Sequence, residues 1–189
     1  MQIYTCTILA VLISVNGFSQ TTRKKVTRKE FLHTAVSLDT VTTTNYYPDS
    51  TIKEINTYYN SKNTAFNTNS VYQFYIKTEK YWPNGIVKQE SIFDNGLAIK
   101  SILYNKQGQK SVEEIFEYKN PDDCIFTLDN QGILSKNLNT FTQLTYSHGK
   151  MYTKKYYKNN KRHGVWSFYD HKTGMLEKTI TYNEGKKQK

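Results

Sequence analysis

Beyond about residue 41 the chain consists of short runs in which apolar and polar side chains alternate, each closed by glycine, asparagine or aspartate. Residues 86–93, 97–104 and 110–118 alternate in this way, with turn residues at 94–96 and 105–108 between them. A period of two is typical of β-strands, and an Asn-Gly pair supplies the positive φ that hairpin turns need. The pattern predicts an all-β protein built as an antiparallel meander of β-hairpins.

Turn glycines recur at intervals of about 11 residues, the length of one strand plus one turn. They are Gly85, Gly96, Gly108, Gly164, Gly174 and Gly185. The units share a form: an aromatic residue, two or three polar residues, a glycine, and an alternating run that ends in another aromatic residue. Residues 46–54 fit as a degenerate first copy with Ser50 in place of the glycine. Such a short repeat predicts an elongated stack in which each hairpin packs on its neighbours.

The segment 157–169, YKNNKRHGVWSFY, resembles a unit of the bacterial MORN-repeat variant. The positions that match the family's motif are Gly164, Trp166, Tyr169 and Gly174. The resemblance implies that the glycine before the tryptophan lets the chain turn closely, and that the tryptophan packs between successive strands. Asn160 stands where the preceding turn of the family has a glycine.

The resemblance is good over 157–187, fair over 81–118, weak over 46–62 and poor over 119–145, where it leaves the strand order open. We therefore place a MORN-variant repeat domain at 46–187. Many bacterial proteins of this type are labelled YwqK-like antitoxins. The resemblance thus also implies an antitoxin or immunity protein that neutralises a toxin by direct binding.

Residues 1–19 carry no charge and include an apolar stretch too short to span a membrane. Gly17 and Ser19 have the spacing of a signal-peptidase site, which predicts cleavage near Ser19-Gln20 and export to the periplasm, cell surface or medium. The alternative is a buried N-terminal strand of a cytoplasmic protein. The Lys-, Asn- and Tyr-rich composition with a Phe-Ser-Gln boundary also looks like that of secreted proteins of the Bacteroidetes.

The other segments give coarser predictions. Residues 20–45 form a basic, Thr-rich N-terminal segment in which 28–35 favours one or two helical turns. Residues 60–70 are polar and predict a loop, followed by a strand at 71–76. Asn120 to Asp123 predicts a turn, because Pro121 ends the strand before it.

The 189 residues carry a net charge of +10, and 16 tyrosines supply most of the aromatic content. Tyrosine buries its ring while its hydroxyl stays hydrated, so the composition favours thin sheets with partly exposed faces. Part of the positive charge lies in Arg23 to Lys29 and in Lys186, Lys187 and Lys189. Such runs are usually solvated tails, or they attract an anionic envelope component at the membrane periphery. No nucleic-acid-binding motif is present, so no nucleic acid is expected as a partner.

No motif for catalysis, metal or cofactor binding is found, so we expect no catalytic residue, no metal and no cofactor. His163 and His171 could approach across one hairpin beside Asp170, whereas His33 and His148 stand alone. Surface histidines in turns are the better interpretation, and a cryptic hydrolase using either residue is the weakest hypothesis. Asp122-Asp123-Cys124 is better explained as a turn and a strand than as a nucleophile, and residues 129–132 as a hairpin turn rather than a calcium loop.

The recurring aromatic residues should pack between hairpins. On the water-facing side, Tyr152, Lys154, Tyr156 and Lys158 alternate and form the candidate binding face. We therefore expect an exported, non-enzymatic binding or scaffolding module at the cell envelope that engages a protein or an anionic component. An antitoxin or immunity protein is the alternative.

Overall fold

Antiparallel strands dominate the computed structural model, which describes residues 24–63, 67–129, 132–135 and 140–189. The prediction of an all-β hairpin meander is confirmed. In chain order the elements are β1 (Lys24–Thr27), α1 (Arg28–Thr34), β2 (Ala35–Tyr46), β3 (Ile52–Asn63), β4 (Asn67–Tyr81), β5 (Val87–Asp94), β6 (Leu97–Tyr104), β7 (Lys110–Glu117), a 3-10 turn (Pro121–Asp123), β8 (Ile125–Asp129), β9 (Gly132–Ser135), β10 (Thr140–Ser147), β11 (Lys150–Lys158), β12 (Lys161–Tyr169), β13 (Leu176–Asn183) and β14 (Lys186–Lys187). The predicted signal segment 1–19 and its cleavage position lie outside the described residues.

Eleven strands form one large sheet in the order β14-β13-β12-β11-β10-β7-β6-β5-β4-β3-β2. Strands adjacent in sequence are adjacent in space, as in a simple meander, except at the β7–β10 contact. There β8 and β9 leave the large sheet and join β1 in a separate three-stranded sheet of order β1-β8-β9. The strand order over 119–145, which the sequence left open, is therefore a detour into a second sheet.

Two segments differ from the sequence-based expectation. Most of 60–70, predicted as a polar loop, is strand, because β3 extends to Asn63 and β4 begins at Asn67. The large sheet also begins at Ala35, so β2 joins the Thr-rich segment 20–45 to the predicted repeat domain. Both differences have one physical reason. The hydrogen bonds between strands are made by backbone groups, and polar residues such as threonine form them as well as apolar residues do. Hydropathy therefore underestimates the length of these strands.

Two kinds of turn connect the strands. Three five-residue turns, which we call wide turns, share the same two backbone hydrogen bonds. The N–H of the first residue donates to the carbonyl oxygen of the fifth residue, and the N–H of the fourth residue donates to the carbonyl oxygen of the first. These turns span 47–51, 82–86 and 105–109. The turn at 170–175 repeats the pattern with one extra residue. Four two-residue turns have positive φ at both positions, the type I′ geometry that fits a twisted hairpin; they are 95–96, 148–149, 159–160 and 184–185.

The left-handed position of the turns is kept even where the glycine is lost. Gly85 and Gly108, the fourth residues of two wide turns, each have a φ of 79°, and Ser50 at the same place has a φ of 66°. Asn160 has a φ of 60° in its type I′ turn. Because a side chain in this region costs roughly 1–2 kcal/mol for most residues and less for asparagine, the degenerate first copy retains the fold of the turn under strain.

The main apolar core lies where the small sheet and α1 pack on β4 and the β5–β6 turn. Its buried members are Val26, Phe31, Tyr72, Phe74, Leu97, Cys124 and Phe126. The rings of Phe31, Phe74 and Phe126 are fully buried, with centroids 5.4 to 6.2 Å apart. Gly96 touches this core, since an added Cβ would lie 3.2 Å from the Phe126 ring.

Arg28 is buried, although the sequence placed it in a solvated basic run. Its guanidinium forms ion pairs of 3.1 Å with both Asp94 and Asp122, and its Nε donates to the Asn95 carbonyl oxygen at 3.3 Å. The prediction for this residue is wrong because α1 begins at Arg28 and turns its side chain toward two acidic turns that are distant in sequence. Arg28 thus ties α1, the β5–β6 turn and the 3-10 turn together.

Candidate binding surface

The predicted binding face lies on β11, which runs between β10 and β12. Tyr152, Lys154 and Lys158 are exposed, Tyr152 to 42%, whereas Tyr156 is half-buried. Among the described residues, neither Lys154 nor Lys158 has an ion-pair partner. Both ammonium groups are therefore available to a ligand.

A bulge in β12 shapes the end of this face. The register shifts between Lys154 and Tyr156, because β12 carries two more residues there than β11. Gly164 lies in the bulge with a φ of 62°, and an added Cβ would lie 3.4 Å from the Tyr156 ring. The Trp166 indole N–H donates to the Tyr156 carbonyl oxygen at 2.9 Å. Glycine therefore lets the ring pack on the backbone, and the indole fixes the bulge.

On the opposite side of the sheet, five rings from five adjacent strands form what we call the aromatic ladder: Phe116, Phe141, Tyr157, Trp166 and Tyr182. Successive centroids are 5.9, 4.6, 5.2 and 4.7 Å apart. Trp166 and Tyr182 are each only 8% exposed. Cross-strand aromatic pairs stabilise a sheet beyond their buried area, so we expect the ladder to hold β7 and β10–β13 together, where the described residues form no second sheet over it.

The other residues singled out by the repeat pattern have simpler positions. Tyr169 ends β12 and is half-buried. Gly174 and Gly185 lie in turns with φ of 79° and 87°, where an added Cβ would meet nothing within 4 Å. These two glycines are therefore needed for the backbone conformation of their turns, whereas Gly164 is also needed for the close contact with the Tyr156 ring.

Cations lie over the rings of this region. Lys155 Nζ is 5.4 Å from the Trp166 centroid, and the Arg162 guanidinium is 5.8 Å from Trp166 and 5.2 Å from Tyr182. Lys178 Nζ lies 5.1 Å from the Phe168 centroid. Cation–π contacts orient these side chains but leave their positive charge unneutralised.

Charge is unevenly distributed along the chain. Residues 150–189 contain eleven lysine and arginine residues and three acidic residues, whereas residues 35–149 contain ten and twelve. Among the described residues, Lys161–Glu184 at 3.7 Å is the one ion pair within β10–β14, and both of its side chains are more than half exposed. Strands β11–β14 therefore present a positive surface with few internal counter-charges.

A cavity of about 570 Å³ opens at the end of β11 beside the binding face. The residues that line it are Glu117, Tyr118, Lys119, Thr140, Tyr156, Lys158, Asn159 and His163. Two of them, Tyr156 and Lys158, belong to the predicted face. Nδ1 of His163 is buried and has no hydrogen-bond partner among the described residues. The sequence had no signal for this site, because its walls come from four strands (β7, β10, β11 and β12) and from the residues that follow β7 and β11.

A charged network crosses the central strands. Glu113 on β7 is buried and accepts hydrogen bonds from Lys100 at 2.7 Å, Lys110 at 3.0 Å and Tyr146 at 2.9 Å. Burial acts to raise the pKa of Glu113, but the hydrogen bonds from Lys100, Lys110 and Tyr146 lower this pKa to about 2. Burial and the Glu113 carboxylate raise the pKa of Tyr146 to about 12. Sequence reasoning missed Glu113, because its partners lie on three different strands or turns.

The histidines do not form a pair. His163 pairs with Tyr156 near the start of β12, whereas His171 is exposed in the turn after Tyr169. The approach across one hairpin that the sequence left open does not occur, because most of β12 lies between the two residues. His33 lies in the last turn of α1, and His148 lies in a type I′ turn with a φ of 49°.

Cys124 is 4% exposed, and burial raises the pKa of its thiol. The nearby Asp122 forms an ion pair with Arg28. A buried cysteine with a raised thiol pKa is typical of a packed core residue and not of a nucleophile. Asp129 pairs with Gly132 across the β8–β9 hairpin, and the two residues between them lie outside the described part. Within the described ranges no three His, Cys, Asp or Glu side chains lie close enough to hold a metal ion.

A comparison with protein-family models finds no matching family, and a comparison with curated proteins finds no matching relative. In the part of the chain that the structure describes, no helix is both long enough and apolar enough to cross a membrane.

Proposed function

We propose that this protein is a non-enzymatic repeat module of the MORN-variant type, exported to the cell envelope, that binds an anionic partner through β11–β14. The observation that carries the proposal is the charge separation. The C-terminal 40 residues hold eleven basic and three acidic side chains. A cationic surface with few counter-ions in its own chain attracts anionic partners and speeds their association.

The aromatic ladder supports this function by keeping the surface rigid. It joins β7 and β10–β13 through ring contacts of 4.6 to 5.9 Å, so the strands need no covering layer on the binding side. Tyrosine and lysine on that side supply amphipathic contact area and charge at low conformational cost.

The MORN-variant assignment is supported by the repetition of the turns. Residues 47–51, 82–86 and 105–109 share the same two backbone hydrogen bonds, although their sequences differ. Adjacent wide turns are also linked, since the Tyr47 hydroxyl donates to the Tyr81 carbonyl oxygen and the Trp82 indole N–H donates to the Tyr104 carbonyl oxygen. This repetition is typical of a stack of similar hairpins.

The binding proposal is tested with the mature chain and an envelope fraction of cells that express it. We expect binding to weaken at least about tenfold between about 50 and 300 mM salt, because screening shortens the reach of exposed charges. The variant Lys154→Glu with Lys158→Glu should lose binding by a similar factor. The matched control is Lys53→Glu with Lys62→Glu, which makes the same charge change on β3 and should bind as wild type.

Binding that resists salt, or an equal loss in both double variants, would overturn the anionic-surface proposal. Export is tested separately, by mass spectrometry of the protein's N-terminus in each cell fraction. A mature chain that begins at Gln20 in the envelope or medium supports export, and an intact Met1 in the cytoplasm contradicts it.

One observation favours the alternative, a YwqK-like antitoxin or immunity protein. The edge strand β2 is 12 residues long, carries Asp39 as its one charged residue, and exposes Val36 to 59% and Tyr46 to 59%. The other edge, β14, is two residues long and consists of lysines. Long uncharged edges pair with other chains, and short lysine-rich edges resist pairing. Tight, salt-insensitive capture of one protein that is lost in Thr42→Pro would support this alternative.

A further inference from the structure

The cavity at the end of β11 has the size and lining of a site for a small ligand. Its volume of about 570 Å³ lies within the range of ligand pockets, roughly 300–1,000 Å³. A bare inorganic anion would fill only a small part of it. A sugar ring with its substituents would fill much more.

The charges in the cavity favour an anion. Lys119 and Lys158 contribute two ammonium groups, against one carboxylate from Glu117. Among the described residues, none of the three forms an ion pair with another side chain. Lys119 follows β7 and Lys158 ends β11, so the two cations reach the cavity from different parts of the chain.

His163 adds an imidazole ring to the wall of the cavity. Its Nδ1 is buried and has no hydrogen-bond partner among the described residues, so a ligand in the cavity would contact other atoms of the ring. A ligand that lies beside the imidazole would change the magnetic environment of its ring, which makes His163 a reporter of binding.

The remaining walls suit a polyhydroxylated ring. The Tyr156 ring packs against Gly164 and lies 6.0 Å from the His163 ring, so its position is fixed before a ligand binds. An aromatic face packs on the C–H surface of a sugar. Thr140 and Asn159 add a hydroxyl and an amide, which can donate to and accept from ligand hydroxyl groups.

We propose that this cavity binds an acidic saccharide, a sugar ring that bears a carboxylate or phosphate group. The anionic group lies between Lys119 and Lys158, and the sugar ring lies on Tyr156 beside the imidazole of His163. This inference rests on the proposed function, because the cavity shares Tyr156 and Lys158 with the binding face, and it names the chemistry of the partner.

The test is a titration of the full mature chain with glucuronate, glucose 6-phosphate and glucose, followed by NMR of the histidine ring nitrogens. We expect both acidic sugars to shift the ring-nitrogen signals of His163, and glucose to bind at least about tenfold more weakly because it lacks the charge. The acid that binds more tightly identifies the natural acidic group as carboxylate or phosphate. Lys119→Gln should weaken acidic sugars about tenfold and leave glucose unchanged.

Lys154→Gln is the matched control, because Lys154 lies on β11 outside the cavity and should leave the sugar titrations unchanged. No His163 shift with any sugar, equal binding of glucose and the acidic sugars, or equal effects of Lys119→Gln and Lys154→Gln would overturn the proposal. If the envelope binding of the previous section persists in such a case, the saccharide site fails while the proposed function stands. If the sugars bind but envelope binding is not salt-sensitive, the saccharide site stands while the proposed function fails.

Discussion

The strands β1–β9 and the strands β10–β14 differ in how far ion pairs neutralise their charged side chains. In the first region, Arg28, Lys77, Lys100 and Lys110 are each paired with a carboxylate, and several of these pairs are partly buried. Cation–π contacts occur in both regions, for example between Lys88 and Trp82, but in the second region Lys155, Arg162 and Lys178 lie over aromatic rings and form no ion pair with a described residue. Ion pairs neutralise charge within the chain, whereas cation–π contacts leave it available to a partner.

The two regions also bury apolar area differently. The first has a closed core in which Phe31, Phe74 and Phe126 are fully buried under a second sheet. The second has the aromatic ladder, a row of rings along a single open sheet. From this comparison we expect the first region to supply most of the stability and the second to carry the proposed binding surface.

The largest expected effect tests where the stability lies. Phe74→Ala should lower the free energy of unfolding by about 3–5 kcal/mol, because it opens a cavity in a closed core. Phe141→Ala in the ladder should cost about 1–2 kcal/mol, because a half-buried ring leaves space that solvent can fill. Urea denaturation of both variants measures the difference. An equal loss of unfolding free energy in the two variants would mean that the aromatic ladder is packed as tightly as the apolar core.

The second prediction concerns the charge network. Glu113→Gln should destabilise the protein by up to about 3 kcal/mol at pH 7, since the pKa of Glu113 is about 2 when folded and about 4.5 when unfolded. A carboxylate whose pKa is lower in the folded state than in the unfolded state stabilises the protein at pH values above its unfolded pKa. This stabilisation is lost as the pH falls toward the folded pKa. The difference between wild type and variant should therefore shrink from pH 4.5 toward pH 2.

Glu117→Gln is the matched control for Glu113→Gln. Glu117 lies on the same strand and face, is exposed, and forms no ion pair with a described residue, so its replacement should change stability by less than about 0.5 kcal/mol at any pH. A pH-independent loss at Glu113 would show that its hydrogen-bonding shape, and not its charge, stabilises the sheet.

The smallest expected effect compares a turn from each region. Ser50→Gly should stabilise the protein by about 0.5–1 kcal/mol, because glycine relieves the strain of a φ of 66°. The higher conformational entropy of glycine in the unfolded chain offsets only part of this gain. Asn160→Gly in the second region should change stability little, since asparagine tolerates a φ of 60°. Thermal unfolding measures both. A gain at Asn160 as large as that at Ser50 would contradict this ranking.

Much of the fold could be predicted because its signals are local. The alternation over 97–104 corresponds to β6 residue for residue, and the predicted helical turns at 28–35 correspond to α1. The repeat pattern singled out Ser50 and Asn160 as replacements for glycine, and both have positive φ. Turn geometry and side-chain alternation depend on residues that are adjacent in the chain, so a single sequence contains them.

The candidate site could be predicted only in part. Alternation placed Tyr152 and Lys154 on an exposed face of β11, but it gave no sign of the β12 bulge or of the cavity beside it. A bulge depends on how two strands align, which neither strand specifies by itself. The contribution of Lys119 was equally hidden, because its loop reaches the cavity from outside the β10–β12 hairpins.

The sequence by itself determined the strand class, the positions of the turns and the excess of positive charge near the C-terminus. Only the tertiary structure decided that β8 and β9 leave the large sheet, that Arg28 is buried between two acidic turns, that Glu113 binds two lysines and a tyrosine, and that His163 lines a cavity with Tyr156 and Lys158. The physical reason is the range of the interactions. Backbone conformation follows from neighbouring residues, whereas burial and charge pairing arise between side chains that are far apart in the chain and meet only after the sheet has formed.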